Sequence, residues 1–564
     1  MIYDYMTENY KMGNGIAEFG VPDWRDIREI RTYQYSNQYV SEALKGEVTG
    51  WFMNNIPAVF IASPTGSGKN YFIEQCIIPF VNICHGNILI LSNRIALGRQ
   101  EKKRLAKLYG REREIDKYTD DGLELLTELG NIFIYSYQKL AFFAQNPKSE
   151  EAQKIINKKF TFVICDECHF FYNDALFNPY TQICLDFMIK YLRDTIRIYM
   201  TATPDEIFGY IIGEEINFLY KNGWPRNVKE LPVYQINADY GYIDVVTFQD
   251  DKELEEMVQD SGDEKWIIFV TKKEHGKRLL NQFSSRDMKA AFITSDSKKK
   301  EQEGHIAYVT LVERQSFEEK VLIATSVIDN GVNIKDKMVK NMVIFEHDQT
   351  RFLQMLGRIR VTDGQRIQLY IPRVHKKDVS LHLSQCVRDL RAFDKLMDNP
   401  LAFYREYIGQ ETDMIRIKGM YFWDQQGHVI PNYCFYNKLK LYDLQFWARI
   451  KKQMDEGCEN AGLAEVCHWL GLTLEDVRSY HSEEKKTAEQ ELIDYMEASI
   501  GRVKKDEFSH EFSRLSVHAY GLRKEDKVRN PEYGLNIMKK VLKEHHLPYS
   551  IINKRDGWYI ERTD

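Results

Sequence analysis

Ten short apolar runs punctuate the first 375 residues. The first five read "AVFIA" (58–62), "NILILS" (87–92), "NIFIYS" (131–136), "FTFVICD" (160–166) and "IRIYMTAT" (196–203). Apolar runs of this length without strict alternation suit strands covered on both faces, as in a parallel sheet. Stretches of helical period separate them, among them "YFIEQCIIPFVNIC" and "RIALGRQEKKRLAKLY". The pattern then returns with "KWIIFVT" (265–271), "KAAFITS" (289–295), "KVLIATS" (320–326), "NMVIFE" (341–346) and "RIQLYIP" (366–372). Strands alternating with helices predict an α/β fold, here two such units in tandem. They join near residues 205–255, where "NGWPRN" and "DYGY" read as loop. Beyond about residue 375 the strand pattern fades and charged amphipathic helices take over.

Composition adds little to this picture but excludes several others. With 564 residues, 43% of them hydrophobic and 28% charged, the chain is an ordinary globular one with room for several domains. No apolar run approaches the length of a membrane span, and "MIYDYMTENYKMGNG" lacks the apolar core of a signal peptide. Nine scattered cysteines, an odd number, suit a reducing compartment, so a cytoplasmic location is expected. The net charge of −6 does not suggest a protein that coats polyanions, but a binding groove needs only local positive charge. Residues 501–564 carry a net +4, which leaves −10 for the rest.

Chemistry enters at two places. After "AVFIA" comes "SPTGSGKNYF", one residue away from the P-loop pattern G-x-x-x-x-G-K-[ST]. Gly66 and Gly68 let backbone N–H groups turn around phosphate oxygens, and Lys69 reaches the outer phosphates. The competing reading is a glycine-rich turn with an exposed lysine. The second place is "VICDECHFF", which puts Asp166 and Glu167 at the end of an apolar strand. Nucleoside triphosphate chemistry needs one carboxylate there for Mg²⁺ and another to orient water. The same letters contain a C-x-x-C-H pattern, Cys165 to His169, used for haem attachment in oxidising compartments, and a weak zinc set of Cys165, Cys168 and His169.

Asp166-Glu167-Cys168-His169 resembles motif II of the DExH-type superfamily 2 helicases and translocases, in which the P-loop is motif I. The rest of that family's series follows in order over residues 25–375. "IRTYQ" resembles the adenine-reading segment, with Arg31 and Gln34. "LSNRIAL" with Arg94 and "IYSYQKL" with Tyr137 and Gln138 resemble nucleic-acid contact motifs. "MTATP" (200–204) resembles motif III, which couples hydrolysis to domain movement. "ATSVIDNGVNI" (324–334) resembles motif V, with Thr325 on nucleic acid and Gly331 and Asn333 on the nucleotide. "QMLGRIR" (354–360) resembles motif VI.

The resemblance implies two RecA-like domains with ATP held by Thr65, Gly66, Ser67, Gly68, Lys69 and Asn70, and Mg²⁺ at Asn70 and Asp166. It implies a catalytic set of Lys69, Asp166, Glu167, His169, Gln354, Arg358 and Arg360. Three positions depart from the family pattern. Asn70 replaces the hydroxyl that holds the metal, Asn333 stands where an aspartate is common, and Val361 stands where a second arginine is usual. Arg360 comes one residue early, which leaves open whether it or Arg358 is the arginine finger.

In the last third, "LAEVCHWLGLTLEDVRSY" (463–480) has the spacing of a helix-turn-helix around Gly471, although Glu475 and Asp476 on the second helix disfavour phosphate contact. "LNIMKKVLKEHH" followed by "YSII" and "GWYIE" predicts a helix and a hairpin, a winged-helix-like end with Lys554 and Arg555 at its tip; a plain surface hairpin is the other reading. "NYCFYNKLKLYDLQFWARI" (432–451) is read as a helix core or as a base-stacking surface. The expected division is therefore an extension (1–24), two RecA-like domains (25–225 and 226–375), a helical region (376–500) and a basic module (501–564). The expected activity is an ATP-driven helicase or translocase on DNA rather than RNA, with a protein partner for the last third left open. Two alternatives stand beside it: a duplex motor that does not unwind, and a slowly hydrolysing clamp.

Overall fold

The computed structural model describes residues 24–36, 39–92, 95–115, 123, 126–237, 239–328, 332–361, 364–407, 414–424, 426–480, 483–520, 533–554 and 557–563. The chain divides into two compact units. One comprises residues 1–245 and 264–477, the other 246–263 and 478–564.

The first unit contains two sheets. The first has eight strands: β1 (Ile30–Tyr35), β2 (Ala58–Ala62), β3 (Ile88–Ser92), β4 (Glu128–Leu129), β5 (Ile132–Ser136), β6 (Phe162–Cys165), β7 (Ile196–Thr201) and β8 (Leu231–Ile236). Their order is β1-β8-β2-β7-β6-β3-β5-β4, parallel except for β4 on β5. Alternate residues of β2 serve two cores. Ala58, Phe60 and Ala62 join one apolar cluster, and Val59 and Ile61 join the cluster on the other face. The second sheet uses β9 (from Ile243), β10 (Lys265–Phe269), β11 (Ala290–Ile293), β12 (Val321–Ala324), β13 (Val339–Ile344) and β14 (Ile367–Pro372), in the order β11-β12-β10-β13-β14-β9. Each of the ten apolar runs forms a strand of one of these sheets, giving two RecA-like α/β folds.

The segment read as a linker contains more than loop. "NGWPRN" and "DYGY" are irregular, but between them β8 enters the first sheet between β1 and β2, and β9 follows. Pro232, which argues against a central strand, sits before pairing with β2 begins at Val233. Its missing N–H therefore costs one ladder position only.

Helices from Lys376 to Leu470 complete this unit. Phe393, Phe435, Leu439, Trp447 and Ile450 join the core of the first α/β fold, so the aromatic stretch 432–451 is core rather than a stacking surface. The helix-turn-helix is not formed. Ala461–Leu470 is helical and Gly471 turns in the left-handed region (φ 67°), as the spacing predicts. The next segment is a single 3-10 turn, Leu474–Asp476, closed by a capping box in which Thr473 and Asp476 bond each other. The backbone is extended by Arg478–Ser479 instead of continuing as a recognition helix.

In the second unit the helices Glu483–Ala498, Lys505–Tyr520 and Leu535–Glu544 pack on an antiparallel sheet of Gly501–Val503, Tyr549–Lys554 and Gly557–Arg562. The last two strands form the predicted hairpin, with Lys554 opposite Gly557. Arg555 lies outside the described residues. Among the described residues no helix is long and apolar enough to cross a membrane.

One buried pair fastens the helix Pro204–Asn222 to β7. Arg197 donates from Nε and Nη2 to the two oxygens of Glu215, both at 2.6 Å, and Tyr199 donates to the same carboxylate at 2.6 Å. The Arg197 and Glu215 side chains are 1% and 0% exposed, so losing the cation strands a carboxylate in the core. Arg197→Met is expected to lower unfolding stability by about 3–5 kcal/mol in urea titration, with Arg197→Met/Glu215→Leu recovering most of the loss. An unchanged midpoint for the single variant would falsify this assignment.

Candidate active site

Residues 63–69 leave β2 as a tight loop. Gly66 (φ 89°) and Gly68 (φ 81°) take left-handed conformations that a side chain would strain. Ser67 Oγ donates to the Pro64 carbonyl at 2.8 Å, and Ser63 N donates to Thr201 O at 2.9 Å, tying the loop to β7. Lys69 is buried and its Nζ donates to the carbonyls of Ser63 (3.0 Å) and Pro64 (3.2 Å). Asn70 is half-buried in the first helical turn after the loop. That helix loosens at once into a π turn, Ile73–Ile77, where Ile78 N bonds Ile73 O. Pro79 explains the irregularity, because its ring crowds the carbonyl four residues earlier and it has no N–H to offer.

The second carboxylate-bearing loop follows β6. Glu167 stands in the left-handed region (φ 51°), a strained conformation for a residue with a side chain. Cys168 N donates to Met200 O at 3.0 Å and holds the turn in place. Burial opposes ionisation of Glu167, but Lys69, His169, Arg358 and Arg360 outweigh it and hold the carboxyl below its ordinary value. The haem and zinc readings of this stretch do not survive. Cys165 and Cys168 are fully buried and burial pushes both thiols well up.

Motif VI closes over both loops from the second α/β fold. The helix Gln349–Leu356 is capped by Asp348, which accepts from Arg351 N. The Gln354 amide nitrogen lies 2.6 Å from His169 Nε2, and Glu167 Oε2 is 3.4 Å from its Nδ1. Arg358 is buried and its Nε donates to Gln354 O at 3.1 Å. Arg360 Nε donates to Asn333 Oδ1 at 2.9 Å, and its Nη1 approaches so near that a Cβ on Gly66 would lie 2.7 Å from it. A Cβ on Gly357 would meet Thr65 at 2.7 Å.

The remaining expected contacts divide. Asn333 engages Arg360. Arg31 and Gln34 are on edge strand β1, Arg31 exposed over the ring of Tyr33 and Gln34 exposed one residue further along. Tyr137, expected on nucleic acid, is instead fully buried, stacked on Phe170 at 4.5 Å and donating to the Asp166 carbonyl at 2.8 Å. Its neighbour Gln138 is exposed and Thr325 is half-buried at the end of β12. Arg94 and Gly331 lie outside the described residues. Two residues that the motif reading missed stand out. Tyr39, 59% exposed, lies against Gly68, and Thr350 bonds Thr203 across the two folds at 2.8 Å. Neither carries a spacing signal, since each matters only through a tertiary contact.

Asp166 and Asn70, the expected Mg²⁺ ligands, offer oxygen donors of the type that ion takes, and Glu167 stands beside Asp166. Glu167 Oε2 is buried and accepts no hydrogen bond from a described residue. Among the described residues no cluster of three or more His, Cys, Asp or Glu could hold a metal alone. Magnesium needs no such cluster, since one or two carboxylates suffice when phosphate and water oxygens supply the rest.

Residues 29–206 match the family model "Type III restriction enzyme, res subunit", and residues 249–361 match "Helicase conserved C-terminal domain". No curated protein matches the chain. Among solved structures it is similar to S. cerevisiae Dbp5 bound to RNA and ADP BeF3, at 15% identity and TM-score 0.41, over 59% of this chain and 83% of that one. It is also similar to Mycobacterium smegmatis Lhr bound to ssDNA and AMP-PNP, at 15% identity and TM-score 0.39, over 60% of this chain and 46% of that one. A third is the DUF1998 helicase MrfA bound to DNA, at 14% identity and TM-score 0.41, over 67% and 52%.

Because Gly357 packs on Thr65, Gly357→Ala should wedge motif VI off the P-loop. The expected result is a fall in ATP turnover of about 10²-fold. Steady-state kinetics check it, and unchanged kcat would show that the two loops do not act together.

Proposed function

Starting from a chain that belongs to the superfamily 2 helicases, and is therefore an ATPase whose work depends on nucleic acid, we propose that it is a DNA-tracking motor with Arg360 as its arginine finger. The observation that carries this reading is the approach of Arg360 Nη1 to Gly66 in the P-loop; the Arg358 Nε donates to the Gln354 carbonyl, and both guanidinium groups act on Glu167. On this reading Arg360 would meet the outer phosphates of ATP and Arg358 would brace the helix. Lys69 now satisfies itself on two backbone carbonyls and would exchange them for phosphate oxygens. Asp166 and Asn70 would hold Mg²⁺, which neutralises charge developing on the phosphates. Glu167, kept ionised by the cations around it, would orient the attacking water.

The preference for DNA rests on the second unit. Its helix-strand-helix-helix-strand-strand order is consistent with the winged-helix expectation. Met538, Val541 and Leu542 face the core of this unit, and Lys539, Lys540 and Lys543 are exposed on the opposite side of Leu535–Glu544. Lys554 stands at the hairpin end, 4.2 Å over the ring of Tyr559. A basic helix beside a basic wing suits the phosphates of a duplex. Replacing Lys539, Lys540 and Lys543 by alanine should make duplex binding less sensitive to salt. The slope should fall by ~0.9 for each phosphate that the protein no longer neutralises, measured by fluorescence anisotropy across a salt series. An unchanged slope removes the unit from the DNA path.

The second reading is a nucleotide-locked clamp, favoured by Asn70 in place of the metal-binding hydroxyl. Turnover of Mg²⁺-ATP, alone and with single-stranded DNA, duplex DNA or single-stranded RNA, separates the two. For a motor, one polymer stimulates strongly and Glu167→Gln loses ~10²–10⁴-fold. ATP binding without turnover, restored by Asn70→Thr, would establish the clamp.

A further inference from the structure

Hydrogen-bonded side chains lead from the catalytic cleft to Glu206 and Thr350, and Asp348, the cap of the Thr350 helix, is held by a lysine that no helicase motif contains. His169 Nδ1 lies 3.2 Å from Thr201 Oγ1, which lies 3.4 Å from Thr203 Oγ1. Thr203 Oγ1 is 2.8 Å from Thr350 Oγ1, and Thr350 Oγ1 is 2.9 Å from Glu206 Oε2. Thr350 shares its helix with Gln354, whose amide returns to His169, so the series closes into a ring through both α/β folds. All of its members except Gln354 are buried.

Two acids stand beside the ring. Glu206 is near the start of Pro204–Asn222 and bonds Thr350, and Asp348 caps the helix Gln349–Leu356 of the other fold. Burial, and then the charge of Asp348, push the Glu206 carboxyl up to about 8. Asp348 itself is held down at about 2, where burial is outweighed mainly by Lys438. Lys438 belongs to neither α/β fold. It begins the π turn Lys438–Asp443 of the accessory helices, is 9% exposed, and donates to Asp348 Oδ2 and Asp443 Oδ1, each at 2.8 Å. A buried ammonium is a poor choice for stability alone, since an apolar residue of the same volume serves as well or better. Here it brings positive charge to Asp348 from outside the finger helix.

We propose that Lys438 is a positioning residue for ATP hydrolysis: by holding Asp348, the cap of helix Gln349–Leu356, it keeps Thr350 on Thr203 and seats that helix over the P-loop. The accessory helices thereby become part of the hydrolytic machine. The proposal rests on Arg360 being the finger.

The test measures kcat and KM for ATP with the stimulating polymer, nucleotide Kd, and the urea midpoint. The intact protein is compared with Lys438→Met, Lys438→Arg, Thr350→Val, the Lys438→Met/Thr350→Val double variant and Arg360→Ala. Lys438→Met and Thr350→Val should each lower kcat ~10- to 100-fold, as misplacement of a catalytic group does, with nucleotide Kd within about threefold. Lys438→Arg should recover most of the rate, and the double variant should lose little more than either single, because both act through one bond. A kcat within about twofold of wild type in either folded single variant, or additive losses in the double, overturns the proposal. If Lys438→Met does not fold, Thr350→Val decides alone. Normal turnover by Arg360→Ala refutes the finger reading itself, which separates that failure from insensitivity at Lys438.

Discussion

The contact of 2.6 Å between the Gln354 amide and His169 Nε2 joins two folds that each have a sheet and core of their own. Parallel strands make such a junction available, because they deliver several loops to one edge of the sheet. The P-loop and the acidic loop follow β2 and β6, with β7 between them. Motif VI follows the second sheet's β13 and meets them. Around this contact the backbone accepts unusual shapes: left-handed Gly66, Gly68 and Glu167, and a π turn directly after the lysine helix. Strain of this kind persists where the surroundings over-determine it, and here hydrogen bonds from Ser63 and Cys168 to β7 do so.

Charge, more than packing, organises the cleft. Lys69, His169, Arg358 and Arg360 all act on one carboxylate, Glu167, and hold it below its ordinary value. Burial, and then the neighbouring Arg358, hold the Arg360 guanidinium below its ordinary value. The acidic cluster at Glu206, Asp348 and Asp443 is balanced from the accessory helices by Lys438.

Much of this was legible before any tertiary contact was known. The ten apolar runs are strands because a parallel sheet buries both faces, and no other common arrangement tolerates such runs in series. The P-loop and the DECH loop were legible because chemistry dictates their residue types and spacing. Strands β1, β8 and β9 were not, since β1 is a half-exposed edge and β8 contains a proline whose position is harmless only in its actual register. Tyr137 matches a contact motif, yet it is needed more as a buried prop beneath Asp166. The helix-turn-helix spacing at 463–480 failed because Thr473 and Asp476 closed a local capping box, which periodicity does not reveal.

The sequence by itself determined the two α/β folds, the nucleotide loop and the acidic pair, because local periodicity and short-range chemical spacing are written along the chain. Only the tertiary structure decided which arginine faces the P-loop, that Asn333 pairs with it, and that Lys438 belongs to the same network. Arg358 and Arg360 are two residues apart and chemically identical. What distinguishes them is the direction each side chain takes once Ile334 and Ile359 bridge and fix the backbone between them. Direction of that kind arises from contacts between residues distant in the chain, and no spacing encodes it.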